Sequence, residues 1–153
     1  MTREERRIDT DLALVPYYPN EDVALSWYQD VELCRQVDNR PEPYTLDRLR
    51  AMYAFLSDHG KCYYIVYRGA PVGDVTLKDD GEIAIVVCRE YQNRGIGRRC
   101  VREMIALAGE QGMDEVRANI YAFNAQSRRM FESVGFVPVG EEWYAYRIKE
   151  QTI

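Results

Sequence analysis

Residues 89–100 read REYQNRGIGRRC, with Gly95 and Gly97 two apart, Gln92 three before the first, and arginines at 89, 94, 98 and 99. Glycine lets a backbone approach a ligand closely because no Cβ intervenes. A helix beginning here would present first-turn amides that lack intrahelical partners, at the positive end of its dipole. Such a junction suits a phosphate-bearing ligand, and Arg94, Arg98 and Arg99 could add charge-assisted hydrogen bonds. A glycine helix start with no ligand is the plainer reading of a lone GxG pair. It must also account for Arg89, Arg94, Arg98, Arg99 and Arg102 facing only Glu90, a local charge of +4 in residues 89–102. A dinucleotide fingerprint would need a third glycine where Cys100 stands, and GxxxxGK[ST] is absent.

The rest of the charge is placed differently. Residues 1–60 hold 7 Lys/Arg and 12 Asp/Glu, whereas residues 61–153 hold 13 of each. An acidic first part and a basic glycine turn fit an anionic ligand at one place and a cationic substrate at another. They do not fit a nucleic-acid binder, which carries its basic face on a basic domain. Cys34, Cys62, Cys88 and Cys100 form no CxxC pair, and with His59 the only histidine no metal site is expected. Cys62, Cys88 and Cys100 sit in apolar surroundings and read as buried reduced thiols. No apolar run approaches a membrane span, and MTREERRIDT lacks an apolar core, so no membrane association and a cytoplasmic location are expected.

The elements that must position the glycine turn follow from periodicity and punctuation. LALVPYY (12–18) reads as a strand closed by Pro16 and Pro19, and Asn20 as the start of a helix. VELCRQVDN is a short helix or turn before RPEP, and Thr45 caps a helix that Gly60 stops. CYYIVYR, PVGDVTLK and EIAIVVC form an antiparallel meander through turns at Gly69-Ala70 and Asp79-Asp80-Gly81. A long helix then runs from about Gly95 to Gln111, with Ile96, Val101, Ile105 and Leu107 or Ala108 on one face. DEVRANIYAF is a strand, AQSRRMFESVG a helix begun by Asn124, and FVPVG and WYAYRIK are closing strands. The expected fold is α+β: a mostly antiparallel mixed sheet of six to seven strands with about four helices on its faces.

Gln92-Asn93-Arg94-Gly95-Ile96-Gly97 resembles the Q/R-x-x-G-x-G/A motif of the GNAT superfamily of N-acetyltransferases. Asn124, Ser127, Phe131, Glu132, Gly135 and Phe136 in NAQSRRMFESVGF resemble its later N-x-x-S/A…Y-E-x-x-GF segment. The two occur in the family's order and spacing. The resemblance implies one domain over residues 1–153, with a variable acceptor-side portion (1–60) like that of ribosomal-protein and aminoglycoside acetyltransferases and an acetyl-coenzyme A portion (61–153).

It further implies that acetyl-coenzyme A is the donor, with its pyrophosphate on Gln92, Asn93, Arg94, Gly95, Ile96, Gly97 and Arg98. The pantetheine arm would run beside Val86, Val87 and Cys88, with an amide near Val87 donating to the thioester oxygen, and Asn124 would bond its end. Asn124 can equally serve as a helix cap. The acceptor is an amine-bearing small molecule or a protein amine, which must be deprotonated before it attacks. Glu82 is the candidate base, at the start of the strand beside the cofactor; it can also be an exposed turn residue. Asn119 stands where some relatives carry an acidic base.

Phe131 occupies the position where the family often has a tyrosine that protonates the departing thiolate. Ser127, one turn earlier, could bond the sulfur instead, and Tyr121, Tyr144 and Tyr146 are alternatives. Tyr17, Trp27, Tyr28 and Tyr44 with Asp30, Glu32 and Asp38 could line an aromatic-acidic acceptor pocket, or simply pack. The sequence thus points to an N-acetyltransferase. A non-catalytic acyl-coenzyme A module of the same fold, and a nucleotide-binding parallel sheet, are the competing classes. The oligomeric state is open, a homodimer included.

Overall fold

The computed structural model describes residues 4–148. Strands β1 (Arg6–Arg7), β2 (Leu12–Pro16), β3 (Gly60–Tyr67), β4 (Ala70–Lys78) and β5 (Ile83–Val87) form an antiparallel sheet in that order. Strands β6 (Glu115–Asn119), β7 (Val137–Gly140) and β8 (Trp143–Arg147) form a second, ordered β6-β8-β7. Helices α1 (Glu21–Trp27), α2 (Val31–Asp38) and α3 (Leu46–Asp58) lie between β2 and β3 in sequence; α4 (Ile96–Glu110) follows β5, and α5 (Ala125–Val134) follows β6.

The α+β class and the meander are as expected, but the single sheet divides in two. Among the described residues the halves meet at one isolated parallel bridge, Glu82 with Arg117, where Arg117 N donates to Gly81 O at 2.9 Å. Beyond it β5 and β6 each lead toward a helix N-terminus, that of α4 and that of α5. Strands that run in parallel into two helix starts have no hairpin to hold them together, and here they separate.

Local chemistry explains most boundaries. Residues 31–38 are a helix (α2), which makes five where about four were expected; Asp30 caps it by accepting from the amides of Glu32 and Leu33, and Asn39 closes it at φ 57. Thr45 caps α3 through Arg48 N at 3.1 Å, as expected, whereas the Asn20 side chain makes no capping bond to α1. The β3–β4 turn is centred on Arg68-Gly69 (φ 50 and 82), one residue earlier than expected, which gives the two left-handed residues a tight hairpin favours.

Gly60 does not stop α3. It opens β3, where a Cβ would lie 2.4 Å from Leu77 O, so close strand approach is what requires glycine. On α4 the buried residues are Ile96, Cys100, Val101, Met104, Leu107 and Ala108, with Ile105 only half-buried at the stripe's edge. Of the last expected strand, Lys149 lies outside the described residues.

Candidate functional site

A cavity of about 670 Å³ opens where β5 and β6 part. It extends from α2 and α3 (Leu33, Val37, Met52) past β5 to the starts of α4 (Gly95, Gly97) and α5 (Asn124, Ser127).

Its inner edge is set by the β4–β5 ladder. Cys88 N donates to Val72 O, and Lys78 N to Glu82 O, both at 2.8 Å. With the register Asp74↔Val86 and Thr76↔Ala84, the alternation of an antiparallel ladder commits the backbones of Cys88, Val86, Ala84 and Glu82 to β4. Ile85 and Val87 therefore turn their N–H and C=O groups outward, into the gap. Of the three residues expected along a pantetheine arm, only Val87 offers its backbone. Val86 lines the cavity with its side chain, and Cys88 is buried beside the sheet and does not line it.

The glycine turn sits at one end. Gly95 is the N-cap of α4 at φ 78, with no side chain capping the first amides, and Asn93 is also left-handed at φ 63. A Cβ on Gly97 would lie 3.5 Å from Met130 Cε and 4.0 Å from Ile85 Cδ1, so the glycine leaves a narrow space between α4, α5 and β5. These uncapped amides fit an anionic group. Gln92, Asn93 and Arg98 line the cavity; the side chains of Arg94 and Ile96 do not. Arg94 is exposed with its guanidinium over the Tyr91 ring at 5.1 Å, and Ile96 is buried in the core. Arg99 is held by Asp9 at 2.7 Å and so is not free for a ligand. Gln92 ties the turn down: its Nε2 donates to Val87 O at 2.9 Å, and its Oε1 accepts from Gln126 Nε2 at 3.2 Å.

On the α5 side Asn124 does cap the helix, its Oδ1 accepting from Ser127 N at 3.2 Å, while both residues line the cavity. Phe131 is buried edge-on to Phe136 and also reaches the wall. Tyr121 does not: its ring stacks on Phe123, centroids 5.8 Å apart, in the turn before α5. Tyr144 and Tyr146, on β8, do not line the cavity either, and Tyr146 packs against Phe136.

Glu82 lines the cavity, paired with Lys78 at 3.2 Å. The neighbouring acidic residue on β4 was missed from the sequence. Asp74 is 3% exposed, and both Tyr28 (2.7 Å) and Tyr53 (2.8 Å) donate their hydroxyls to its Oδ2. Burial pushes its carboxyl up to about 6, against the opposing pull of those two hydrogen bonds. Burial and the same carboxylate hold both tyrosines well above the usual phenol range. The visible signal was a lone acidic residue inside the strand run PVGDV.

Of the expected aromatic-acidic group, Tyr28, Tyr44 and Asp38 reach the cavity, with the Tyr28 and Tyr44 rings 4.7 Å apart. Tyr44 donates to Asp38, which Arg48 also holds at 2.9 Å. Tyr17 stacks on Tyr53, Trp27 meets Tyr64 edge-on, Asp30 is used as the α2 cap and on Arg89, and Glu32 is exposed. All four cysteines are free and buried, and burial pushes the Cys100 thiol up to about 12.

Comparison with known proteins agrees with this geometry. The family model described as Acetyltransferase (GNAT) domain matches residues 11–137. The chain is 23% identical over 128 residues to N-acetyltransferase 8 of Homo sapiens, covering 76% of this chain and 52% of that protein. It is 24% identical over 103 residues to N-acetyltransferase family 8 member 3 of Mus musculus, covering 60% and 46%. The chain thus spans about half the length of the curated relatives it matches.

Among solved structures it superposes on the Salmonella typhimurium acetyl transferase that modifies the N-terminal serine of ribosomal subunit protein L7/L12, with TM-score 0.76 at 13% identity over 95% of this chain and all (100%) of that one. A RimL ribosomal L7/L12 alpha-N-protein acetyltransferase bound to coenzyme A gives 0.75 at 15% identity, over 95% and 98%. A Methanocaldococcus jannaschii domain gives 0.77 at 19%, over 92% and 100%. At such identities the structures share the fold. With the family match across most of its length, a cavity where two strands part, and an uncapped glycine helix start at its end, this chain belongs to the GNAT acetyltransferase family.

Proposed function

We propose that this protein transfers the acetyl group of acetyl-coenzyme A directly to a primary amine. The observation that carries the reading is the parting of β5 from β6, which leaves the backbone edge of Ile85 and Val87 facing a cavity that ends on the free amides of α4. Those amides, with Arg98, would hold the pyrophosphate, and the open edge of β5 would pair with the pantetheine amides as an added strand does. Bound there, the cosubstrate supplies an activated acetyl group as a thioester.

The chain's own contributions are orientation and proton handling. The Val87 N–H is available to stabilise charge on the thioester oxygen, a contribution of about 2.7–4 kcal/mol for one such donor. The acceptor enters from the α2–α3 side and must lose a proton to a carboxylate of the wall. Phe131 has no proton to give, so Ser127, one turn earlier on α5, is the candidate to bond the departing sulfur. A thiol of ordinary acidity leaves tolerably as thiolate even without it.

The test is acetyl transfer to a panel of a polyamine, an aminoglycoside and peptides with free N-termini, alongside calorimetric binding of coenzyme A. Transfer to at least one amine, lost in Gly97→Glu, supports the reading. Tight coenzyme A binding with no transfer to any amine identifies a non-catalytic acyl-coenzyme A module instead.

A further inference from the structure

We propose that Asp74 is the residue that receives the acceptor ammonium and takes its proton, so that the acceptor is a cationic amine whose nitrogen meets the cavity side of the Asp74 carboxylate. The inference rests on the acetyl-transfer reading and adds the base and the acceptor's charge.

Three observations carry it. The first is register. Directly paired residues share a face of the sheet, so Asp74 and Val86 lie side by side, one residue from the Val87 amide that faces the gap. Glu82 is on that face too, but four residues back along β5, roughly 13 Å at the rise of a strand. Of the two carboxylates, Asp74 is the one at the level of the acyl group.

The second is the way the carboxylate is held. Both hydroxyls donate to Oδ2 alone. Two buried tyrosines from different helices, α3 and the C-terminal end of α1, thus fix the carboxyl group and leave its other oxygen for the cavity that Asp74 lines. Among the described residues no basic side chain pairs with Asp74, and a carboxylate placed so deeply without one is costly for the fold. Lys78, the nearest cation on its own strand, pairs with Glu82. An ammonium substrate would supply the missing positive charge.

The third is what surrounds the approach. Besides Asp74 and Tyr28, the ionisable groups on the wall are Asp38, Tyr44, Lys78, Glu82, Tyr91, Arg98 and Arg129. Asp38 is engaged by Tyr44 and Arg48, and Lys78 and Glu82 by each other. Tyr28 and Tyr44, tilted at 44° with centroids 4.7 Å apart, wall this end of the cavity, and Arg48 already covers the Tyr44 ring at 4.1 Å, so the open partner for a cation here is the carboxylate of Asp74. The raised pKa of Asp74 agrees with a proton acceptor that works near neutral pH.

The step balances as follows. Asp74 takes one proton from R–NH3+ and becomes neutral. The freed lone pair forms the C–N bond at the acetyl carbon as the C–S bond breaks, with its electron pair leaving on sulfur. The second proton of the nitrogen passes to the thiolate, and Asp74 returns its own to solvent.

The experiment compares Asp74→Asn, Glu82→Gln and Tyr53→Phe with wild type on the best amine of the panel, measuring kcat/KM from pH 5 to 9 and coenzyme A affinity by calorimetry. Asp74→Asn keeps coenzyme A affinity within about threefold but loses 10²- to 10⁴-fold in kcat/KM, together with the acidic limb of the profile. Glu82→Gln loses at least tenfold less. Tyr53→Phe keeps the limb but moves it to higher pH. Retention of the limb and of kcat/KM within tenfold in Asp74→Asn, or a greater loss in Glu82→Gln, overturns the inference while leaving acetyl transfer intact. Absence of transfer by wild type despite coenzyme A binding overturns both.

Discussion

Replacing Asp74 by Asn should stabilise the protein at neutral pH. Asp74 has its carboxyl raised from 3.8 to about 6 in the fold, so between those values the native state binds more protons than the unfolded chain. Stability contributed by this residue is complete below about pH 4 and is lost as pH rises through 6. By pH 7 the loss approaches the full difference in pKa, and at 1.36 kcal/mol per unit it amounts to about 3 kcal/mol. Asn is uncharged at every pH. Because Tyr28 and Tyr53 both donate to one oxygen, the single carbonyl of Asn can accept both bonds. The substitution should therefore recover most of that energy, about 2–3 kcal/mol. In a chain of 153 residues this is a rise in Tm of roughly 5–10 °C.

The assay is thermal and urea unfolding of both proteins from pH 4 to 8. The difference between them matters more than either curve, because the carboxylates of Asp9, Glu21 and Glu110, held low by arginines, give an opposite trend common to both. The difference should be near zero at pH 4 and reach its full value by pH 7. A variant equally or less stable than wild type at pH 7, or a difference independent of pH, would refute the reasoning. Stabilisation accompanied by loss of transfer would mark Asp74 as a residue kept for function against the interest of the fold.

Other substitutions test separate parts of the structure. Gly73→Ala should destabilise by about 1–3 kcal/mol in urea unfolding, since its Cβ would meet Val86 O at 2.0 Å and backbone cannot move aside. Asn124→Ala should cost about 1 kcal/mol by loss of the α5 cap, measurable by thermal unfolding without ligand, with any further loss of coenzyme A affinity read separately. Gly97→Glu should leave Tm within a few degrees but abolish coenzyme A binding in calorimetry, because the side chain fills the space between Met130 and Ile85 with a negative charge. Tyr53→Phe should raise the Asp74 pKa further by removing one of the bonds that lower it, seen as an upward shift of its carboxyl titration by NMR.

Much of the fold was legible because it is local. The stripe of Ile96, Val101 and Leu107, the Thr45 and Asn124 caps, and the left-handed Gly81, Gly112 and Gly135 depend on neighbours within a few residues. So does the glycine helix start that would hold an anion. Gly60 misled for the opposite reason: its need for glycine comes from Leu77, seventeen positions away, and not from the helix it follows.

The glycine helix start at one end of the cavity was in the sequence, since a helix N-terminus carries its own amides and dipole. The opposite end was not. Asp74 reads as an ordinary strand residue until Tyr28 and Tyr53 close over it, and how far along the cavity Asp74 and Glu82 each stand depends on strand register. Tyr121 was a candidate as a residue of a flanking strand expected to reach 123, but β6 ends at Asn119 and the turn from Tyr121 to Asn124 sets its ring on Phe123. Sequence alone determined the elements and the anion cradle, because those rest on backbone geometry and short-range spacing. Tertiary structure decided which carboxylate is buried and at what depth, because desolvation and register arise only when distant segments meet.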